Sequence, residues 1–506
     1  MPLLDRPGIV FAAAVYLLAT LAIGVWSARR TRTPADFFVA GRNLGLLVTG
    51  IATMSAAFSG FAFLGGPGLT YRMGLASMFI CFPVGFTAAL LCWTVARPMR
   101  LLAEARTIYT VPDLILARYR SRVASGLSAC AVLVGTVFYL GTQLLALGVM
   151  LEAILGTRDA LGPWSLPAAM ALGALVIVTY CTAGGMVASV YTDLLQGSIM
   201  AVAGVLVFIQ ALNVTGGWTA MTHSIATSPV FGAAMLDPLG QVNAFTAFGF
   251  YFVFGVGVVG QPHVVHKFFM LKDPMRLRYF PLVLGGSQVL CILLWLGVGL
   301  AVPALVARGK LAALSSPDEA TPAFLLGFAP EWLAGFVFAS VMAAIMSTAS
   351  SLVNIAAAAV VRDAPRALGR RRATDELRAG RMMTIAVVTA AGLSAWLSQD
   401  LIALLGAFSF GTLAAALTPV LVVGLNWPRV TAAAASASIG GGLLLNLALE
   451  FLARQTYFPG LPKFPLAAGV QATAVSLAAS FVILFVVTAL TRAETVDDDV
   501  AAAMEA

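Results

Sequence analysis

The run Gly255-Val256-Gly257-Val258-Val259-Gly260-Gln261-Pro262-His263 interrupts an apolar segment that is otherwise long enough to cross a membrane. Its glycines weaken a helix, and its proline removes a backbone hydrogen bond. A comparable cluster, Gly65-Gly66-Pro67-Gly68, stands in an apolar segment about five segments earlier. We therefore predict a broken helix at each cluster. Backbone that is opened within lipid must face protein or a water-filled cavity, so each break marks an internal site.

The composition places most of the chain in a lipid bilayer. Of the 506 residues, 60% are hydrophobic and only 10% are charged, whereas soluble domains have roughly 25% charged residues. The net charge of +8 does not indicate nucleic-acid binding, because the basic residues are spread over short loops. Five cysteines lie within apolar segments without a CxxC pair, so neither a disulfide framework nor a zinc site is expected.

Thirteen apolar segments are long enough to be membrane helices, at about 20 residues per crossing. The first is too long for a secretion signal and is followed by Arg29, Arg30 and Arg32, so we interpret it as a spanning helix. A short acidic tail, 492–506, follows the last one, so no attached enzyme domain is expected. The predicted helices are near 8–28, 45–71, 75–96, 123–155, 164–182, 187–212, 243–265, 279–306, 325–361, 380–398, 400–424, 428–452 and 466–491.

The positive residues predict the orientation of these helices. One set of loops holds 23 of the 30 lysine and arginine residues, and the opposite set holds seven. Cytoplasmic loops retain positive charge, so we predict the N-terminus outside and the C-terminus inside. We expect a multi-pass protein of the plasma membrane, which in bacteria is the inner membrane. The run Arg370-Arg371-Arg372 is interpreted as a topological anchor, with recruitment of a partner or of anionic lipid as the alternative.

Broken helices at corresponding positions of two halves indicate a secondary transporter with an inverted repeat and a binding site near the bilayer midplane. For either glycine cluster alone, the alternative is close helix packing. The predicted division of the chain has four parts. They are a first helix with a cytoplasmic loop in 1–44, repeat one in 45–212, repeat two in 243–424, and two accessory helices with a short tail in 425–506.

Predicted helix nine carries an unusual polar run, Ala344-Ile345-Met346-Ser347-Thr348-Ala349-Ser350-Ser351, in an otherwise apolar segment. Ser347, Ser350 and Ser351 are three or four residues apart and therefore share a helix face. Hydroxyls also bond to carbonyls of their own helix, an alternative that stays open for Ser350 and Ser351. A sodium ion stripped of water takes about five or six oxygen ligands, by analogy with other hard cations. Carbonyls released at the break of helix two, with Ser347 and Thr348 opposite, would supply a weak, reversible site.

Five short motifs occur in order along nearly the whole chain. They are Asp36-Phe37-Phe38-Val39-Ala40-Gly41-Arg42, Val111-Pro112-Asp113, Gly184-Gly185, Thr192-Asp193-Leu194-Leu195-Gln196-Gly197 and Ser347-Thr348-Ala349-Ser350-Ser351. Each motif alone is weak, but in this order they resemble the sodium/solute symporter family, which includes sodium/proline, sodium/pantothenate, sodium/galactose and sodium/sialic acid carriers. The resemblance implies an all-helical, leucine-transporter-type fold of five plus five inverted helices with three additional helices.

The resemblance also implies where the coupling ion, Na⁺, binds. The implied ligands are the backbone carbonyls of Ser55, Phe58 and Ala344 and the hydroxyls of Ser347 and Thr348. Some relatives bind a second sodium ion with an acid of helix six and further serines of helix nine. Asp193, Ser350 and Ser351 align with those positions. Asp193 is alternatively an inner exit-path group or a helix-end residue.

For the solute, Gly260-Gln261-Pro262-His263 looks most like the motif of the proline carriers. Those carriers have a tryptophan and a tyrosine where this chain has Phe254 and Val258, and an aspartate where it has Ala57. Because an indole N–H and a phenol are lost, a different amino acid or a small carboxylate fits better than proline. The implied substrate-binding residues are Ser59, Tyr139, Phe254, Val258, Gln261 and Pro262.

Other functions fit the sequence less well. His263 and His266 have HxxH spacing, but no third and fourth metal ligands accompany them, and both are expected at the cytoplasmic end of helix seven. A solute sensor usually adds a signalling domain, and none is predicted. A proton-coupled carrier needs an intramembrane carboxylate, and apart from Asp193 the predicted helix centres lack one. We therefore expect a sodium-coupled symporter of a small organic solute, embedded in lipid, with neither nucleic acid nor an obligate protein partner.

Overall fold

Helices make up most of the described part of the chain, which comprises residues 7–28, 39–370, 376–398, 402–453 and 469–505 of this computed structural model. Within these ranges, one isolated parallel bridge joins Leu44 to Leu271. Several residues used in the sequence analysis lie outside the described ranges. They are Arg29, Arg30, Arg32, Asp36, Phe37, Phe38, Arg371 and Arg372.

A helix lies in each of the thirteen predicted ranges, and we number these helices α1 to α13. Helices α2 and α7 are each bent into two halves, and α3 consists of three consecutive helical stretches. The bounds are α1 Pro7–Ala28, α2 Leu46–Ala57 and Phe61–Ile80, α3 Val84–Leu91, Cys92–Ala96 and Arg97–Ala105, α4 Arg122–Leu155, α5 Arg158–Thr179, α6 Met186–Thr215, α7 Ala244–Gly260 and Pro262–Met270, α8 Phe280–Ala307, α9 Glu331–Ala358, α10 Glu376–Ser398, α11 Ile402–Val422, α12 Ala432–Ala453 and α13 Ala472–Leu490.

Among the described residues, ten helices are long and apolar enough to cross a membrane, or twelve when each bent pair is one span. The predicted third span accounts for the difference from thirteen. Its first residues belong to the 3₁₀ stretch Gly74–Ile80, and α3 carries Arg97 and Arg100 in its last part. Helices α5 and α6, predicted as separate, follow one another in a continuous helical stretch, Ser165–Thr215.

Helices α9 and α11 lie at the centre of the molecule. The most apolar stretch of the span that contains α9 is 94% buried, and that of α11 is 89% buried, against 22% for α1. Peripheral helices carry large exposed apolar side chains, such as Phe11 and Leu18 on α1. Such surfaces suit contact with lipid, and the polar run of α9 is therefore enclosed by protein.

The break of α2 lies at Phe58, before the Gly65 to Gly68 cluster where it was predicted. The two halves of α2 are bent by 58°, and Phe58 has extended backbone angles, φ −93° and ψ 117°. The prediction of a break at the glycine cluster is wrong, because Gly66–Met73 is helical. Pro67 stands in the first turn of that stretch, a position that suits proline because the first N–H groups of a helix have no intrahelical acceptor.

Helix α7 breaks within its predicted cluster. Its halves are bent by 49°, and the extended residue between them is Gln261, with φ −88° and ψ 105°. Pro262 begins the second half. The proline therefore restarts this helix after the break, and the glycines before it form the 3₁₀ turn Gly257–Gly260.

The acidic tail is tied to the rest of the protein. Arg106 lies 2.7 Å from a carboxylate oxygen of Asp497 and 2.6 Å from one of Asp499, and Arg120 lies 2.8 Å from Asp497. Hydrogen bonds from Arg106 lower the pKa of both aspartates. The short helix Asp498–Glu505 is therefore joined to the end of α3.

Gly60 lets the second half of α2 approach α4 and α9. A Cβ at this position would lie 2.6 Å from the Cβ of Ala146 and 2.9 Å from Cγ1 of Ile345. Both distances are shorter than real Cβ contacts, so any side chain here would push the three helices apart.

We expect Gly60→Ala to destabilise the protein by about 1–3 kcal/mol, the usual effect of overpacking a filled interior. Gly286→Ala in α8 is the matched control, because a Cβ there meets no heavy atom within 4 Å. Thermal unfolding in detergent, followed by circular dichroism, should show a lower midpoint for Gly60→Ala alone. Equal midpoints for the two variants would contradict this packing.

Candidate ion and solute site

The break in α2 redirects several backbone N–H groups. In an uninterrupted helix, the N–H groups of Gly60, Phe61 and Ala62 would donate to the carbonyls of residues 56, 57 and 58. Here Gly60 donates to Oε1 of Gln143 at 3.0 Å, and Phe61 donates to Oγ of Ser59 at 3.2 Å. Ala62 donates to the carbonyl of Ser59 at 2.9 Å. The carbonyls of residues 56 to 58 thus lose their helical donors.

Hydroxyls of α9 reach the carbonyls at this break. Oγ of Ser347 donates to the carbonyl of Ser55 at 2.8 Å, and it lies 3.1 Å from the carbonyl of Ala344 one turn earlier. Oγ1 of Thr348 donates to the carbonyl of Ala56 at 3.1 Å. All of these residues are fully buried. Oxygens of α2 and α9 therefore converge without a formal charge among them.

The predicted sodium ligands fall into two groups in this structure. Ser55, Ala344 and Ser347 meet directly, as the preceding distances show. Thr348 lies beside them but bonds to Ala56, a residue that the sequence analysis did not select. Phe58 lines a neighbouring cavity, and its carbonyl belongs to the opened segment. Several neutral oxygens within about one hydrogen-bond length of each other suit a hard monovalent cation.

A second cluster joins α6, α9 and the second half of α7. Oγ of Ser350 lies 3.2 Å from Oγ of Ser189, which donates to Oδ2 of Asp193 at 3.4 Å. The ammonium of Lys267 lies 2.6 Å from the same carboxylate oxygen and donates to Oγ of Ser351 at 3.2 Å. The predicted residues Asp193, Ser350 and Ser351 are thus brought together.

Sequence reasoning missed Lys267, which follows the predicted helix 243–265 and was counted among the 23 positive residues of the cytoplasmic loops. The structure corrects this, because the Lys267 side chain is only 1% exposed. Its partner Asp193 lies far upstream in the chain, so local sequence carried no sign of the pair. A lone lysine directly after an apolar broken helix was the available signal.

A small cavity of about 80 Å³ lies between the broken segments of α2 and α7. Three predicted substrate residues, Tyr139, Phe254 and Val258, line it. The Phe254 ring stacks on Phe61 and Phe410, with centroid distances of 5.5 and 4.5 Å. The other lining residues are Ala57, Phe58, Ala62, Ile80, Cys81, Pro83, Thr87, His263, Val264, Gln288 and Trp295. The wall is therefore mainly aromatic and aliphatic.

Two buried polar atoms in the cavity residues have no hydrogen-bond partner among the described residues. They are Nδ1 of His263 and Oε1 of Gln288. Buried polar atoms normally bond to something, so this pair marks where a polar ligand would be recognised. His263 was predicted at the cytoplasmic end of α7, but its ring packs edge-on to Tyr139 at 5.3 Å in this cavity. Oγ of Ser59 lies 3.4 Å from the Tyr139 hydroxyl.

The other three predicted substrate residues, Ser59, Gln261 and Pro262, are not among the residues that line this cavity. The amide of Gln261 donates to the carbonyls of Gly257 and Phe410 at 3.2 and 2.9 Å, so it ties α7 to α11. Pro262 lines a separate, smaller cavity beside His266. His266 bonds through Nε2 to the carbonyl of Tyr109 at 2.7 Å. Gln261 and His266 therefore hold the second half of α7 in place.

Two bent helices that open beside a buried, hydroxyl-bearing central helix define a multi-pass membrane carrier. The profile of the sodium:solute symporter family matches residues 37–442, and the chain belongs to that family. The predicted family is thereby confirmed.

Individual proteins agree with this assignment. The osmoregulated proline transporter of Bacillus subtilis strain 168 is 26% identical over 456 residues, which cover 88% of this chain and 90% of that protein. The sodium/pantothenate symporter of Escherichia coli strain K12 is 26% identical over 467 residues, covering 90% and 94%. The solved structure of a Na⁺-coupled sialic acid symporter, in a substrate-bound outward-open state, superposes with a TM-score of 0.78 at 17% identity, over 96% of this chain and 98% of that one. The predicted leucine-transporter-type fold is confirmed.

Proposed function

We propose that this protein is a sodium-coupled secondary active symporter that imports a small organic solute by alternating access. The observation that carries this proposal is the convergence of α2 carbonyls with α9 hydroxyls, at 2.8 Å for Ser347 to Ser55 and 3.1 Å for Thr348 to Ala56. Sodium would be held by the carbonyls and hydroxyls predicted from the sequence. These are Ser55, Phe58, Ala344, Ser347 and Thr348.

Sodium favours one conformation only through its different affinity for the two forms. In the outward-open form, it would bridge α2 and α9 and stabilise the broken segment around Phe58. The hydroxyls that now donate to carbonyls would turn their lone pairs toward the ion. At −100 mV, one sodium ion moving inward contributes about 2.3 kcal/mol of driving force.

We expect Ser347→Ala and Thr348→Ala each to raise the sodium concentration needed for half-maximal uptake by about tenfold or more, which corresponds to about 1.4 kcal/mol or more in binding. Sodium-dependent uptake into proteoliposomes of purified protein measures this. Ser340→Ala is the matched control, since its hydroxyl lies buried on the same helix with no hydrogen-bond partner in the described part of the chain. Unchanged sodium dependence in both site variants would remove the assigned site.

The solute would bind in the cavity between α2 and α7. Its aromatic wall suits an apolar body, while His263 and Gln288 offer buried polar atoms to a polar end. A neutral amino acid or a small carboxylate has this combination. The curated relatives are named as carriers of proline and pantothenate, and Phe254 and Val258 are where we expect the selectivity of this chain to differ.

The double variant Phe254→Trp with Val258→Tyr should shift preference toward proline, because it restores an indole N–H and a phenol to the cavity wall. Competition by a panel of amino acids and carboxylates against a transported solute measures the shift. Phe248→Trp, on an exposed position of the same helix, should leave the preference unchanged. If the double variant also leaves it unchanged, neither residue contacts the solute.

Proton coupling is the main alternative. Asp193 supports it, because its carboxylate is buried within the membrane helix α6 and a proton relay needs such a group. Its pairing with Lys267 provides a fixed counter-charge, which favours a structural role over a proton relay. Uptake into proteoliposomes with sodium and proton gradients imposed separately distinguishes the two couplings. A sensor that does not transport would bind solute but accumulate none under either gradient.

We infer that the N-terminus lies outside and the C-terminus inside, in the plasma membrane. With Cys130 replaced by Ser, Ala313→Cys should react with a membrane-impermeant maleimide in intact bacterial cells. Leu368→Cys should react only after the membrane is opened. Both positions are exposed and lie in loops on opposite predicted sides. The reverse labelling pattern would overturn the orientation.

A further inference from the structure

A cation that belongs to the protein occupies the cluster of predicted second-sodium ligands. Nζ of Lys267 lies 2.6 Å from Oδ2 of Asp193, and the two side chains are 1% and 0% exposed. The same ammonium donates to Oγ of Ser351 at 3.2 Å. Ser350 joins the cluster through Ser189. Two of the three residues expected at a second sodium ion, Asp193 and Ser351, thus contact an ammonium group instead.

We propose that Lys267 is a tethered cation that replaces a second sodium ion, so that this carrier binds one sodium ion in each transport cycle. The inference rests on the proposed function as a sodium-coupled symporter. It adds the stoichiometry, which the sequence alone left undetermined, and it assigns a role to a residue outside the predicted site.

The electrostatics of the cluster support this replacement. A carboxylate as deeply buried as that of Asp193 needs a counter-charge, since an unpaired buried charge is strongly destabilising. Lys267 supplies one that cannot diffuse away. A sodium ion entering beside it would place two like charges next to one carboxylate in a medium of low dielectric constant, where their repulsion is large. Sodium can therefore use these oxygens only when the ammonium is absent.

The connectivity shows what the tethered charge does. Lys267 belongs to the second half of α7, beyond the break at Gln261, while Asp193 and Ser351 belong to α6 and α9. The ion pair fastens this half-helix to its neighbours at any sodium concentration. Ser350, which is next to Ser351 on α9, donates to the carbonyl of Ser347 one turn earlier, at 3.1 Å. The neutral cluster that includes Ser347 is left as the part that responds to sodium.

Equilibrium binding of radioactive ²²Na⁺ to purified protein tests the proposal without knowledge of the solute. The wild-type protein should bind one sodium ion per chain, and Lys267→Ala should bind two. Adding Asp193→Asn or Ser351→Ala to Lys267→Ala should return the count to one. Lys272→Ala is the matched control, because it removes an exposed lysine from the same segment and should leave the count at one.

The double variant Lys267→Ala with Asp193→Asn is the control for folding. It removes both charges and leaves the same space as Lys267→Ala. If this double variant folds while Lys267→Ala does not fold even in saturating sodium, sodium has not replaced the ammonium and the proposal is overturned. Two sodium ions bound to the wild type, or one to folded Lys267→Ala, would also overturn it. If neither variant folds, the number of sodium ions bound to the wild-type protein decides: one supports the proposal and two overturn it.

Failure of the underlying function has a different signature. A protein that binds no sodium in the wild type, or whose binding is unchanged by Ser347→Ala, is not the proposed symporter. A protein that binds sodium through Ser347 yet keeps one site after loss of Lys267 remains a symporter, and only the role of Lys267 is then rejected.

Discussion

The opened backbone of α2 at Phe58 is the constraint on which the rest of this structure depends. Buried N–H and carbonyl groups need partners, and the membrane interior has no water to provide them. Gln143 and Ser59 accept from the N–H groups after the break, while Ser347 and Thr348 donate to the carbonyls before it. These partners lie on α4, on α2 itself and on α9. The break can therefore exist only where these helices meet, and Gly60 provides the space for that contact.

The two polar clusters along α9 solve the same problem of buried polarity in different ways. Around Ser347, hydroxyls and carbonyls are paired without formal charge, so their hydrogen bonds can be exchanged for an ion at modest cost. Around Ser351, the carboxylate of Asp193 is matched by the ammonium of Lys267, and breaking a buried pair of this kind costs several kcal/mol. The first arrangement suits a ligand that must leave in each cycle. The second suits a fixed connection between α6, α7 and α9.

The membrane helices were predictable because hydropathy is a local property, and the hydroxyl run of α9 was visible for the same reason. The position of the break in α2 could not be predicted from the local sequence. The glycines near residue 65 predicted a helix break, yet Gly66 is helical and packs against the Trp295 ring. The actual break depends on Gln143, which lies on another helix and offers an acceptor to Gly60. Lys267 was missed for a similar reason, since a lysine at the end of an apolar segment resembles a loop residue until its distant partner Asp193 is known.

The junction at Phe58 and Ser59 is shared by the two proposed binding regions, and this sharing is a route by which ion and solute would influence each other. The carbonyls before the junction accept hydrogen bonds from the α9 hydroxyls, while Phe58 lines the proposed solute cavity. Ser59 lies within reach of the Tyr139 hydroxyl, and Tyr139 packs against His263 in the same cavity. In the proposed mechanism, an ion that orders the carbonyls would also order these side chains. Because coupling between two ligands is reciprocal, a solute that fixes Phe58 and Tyr139 would then strengthen sodium binding by the same factor.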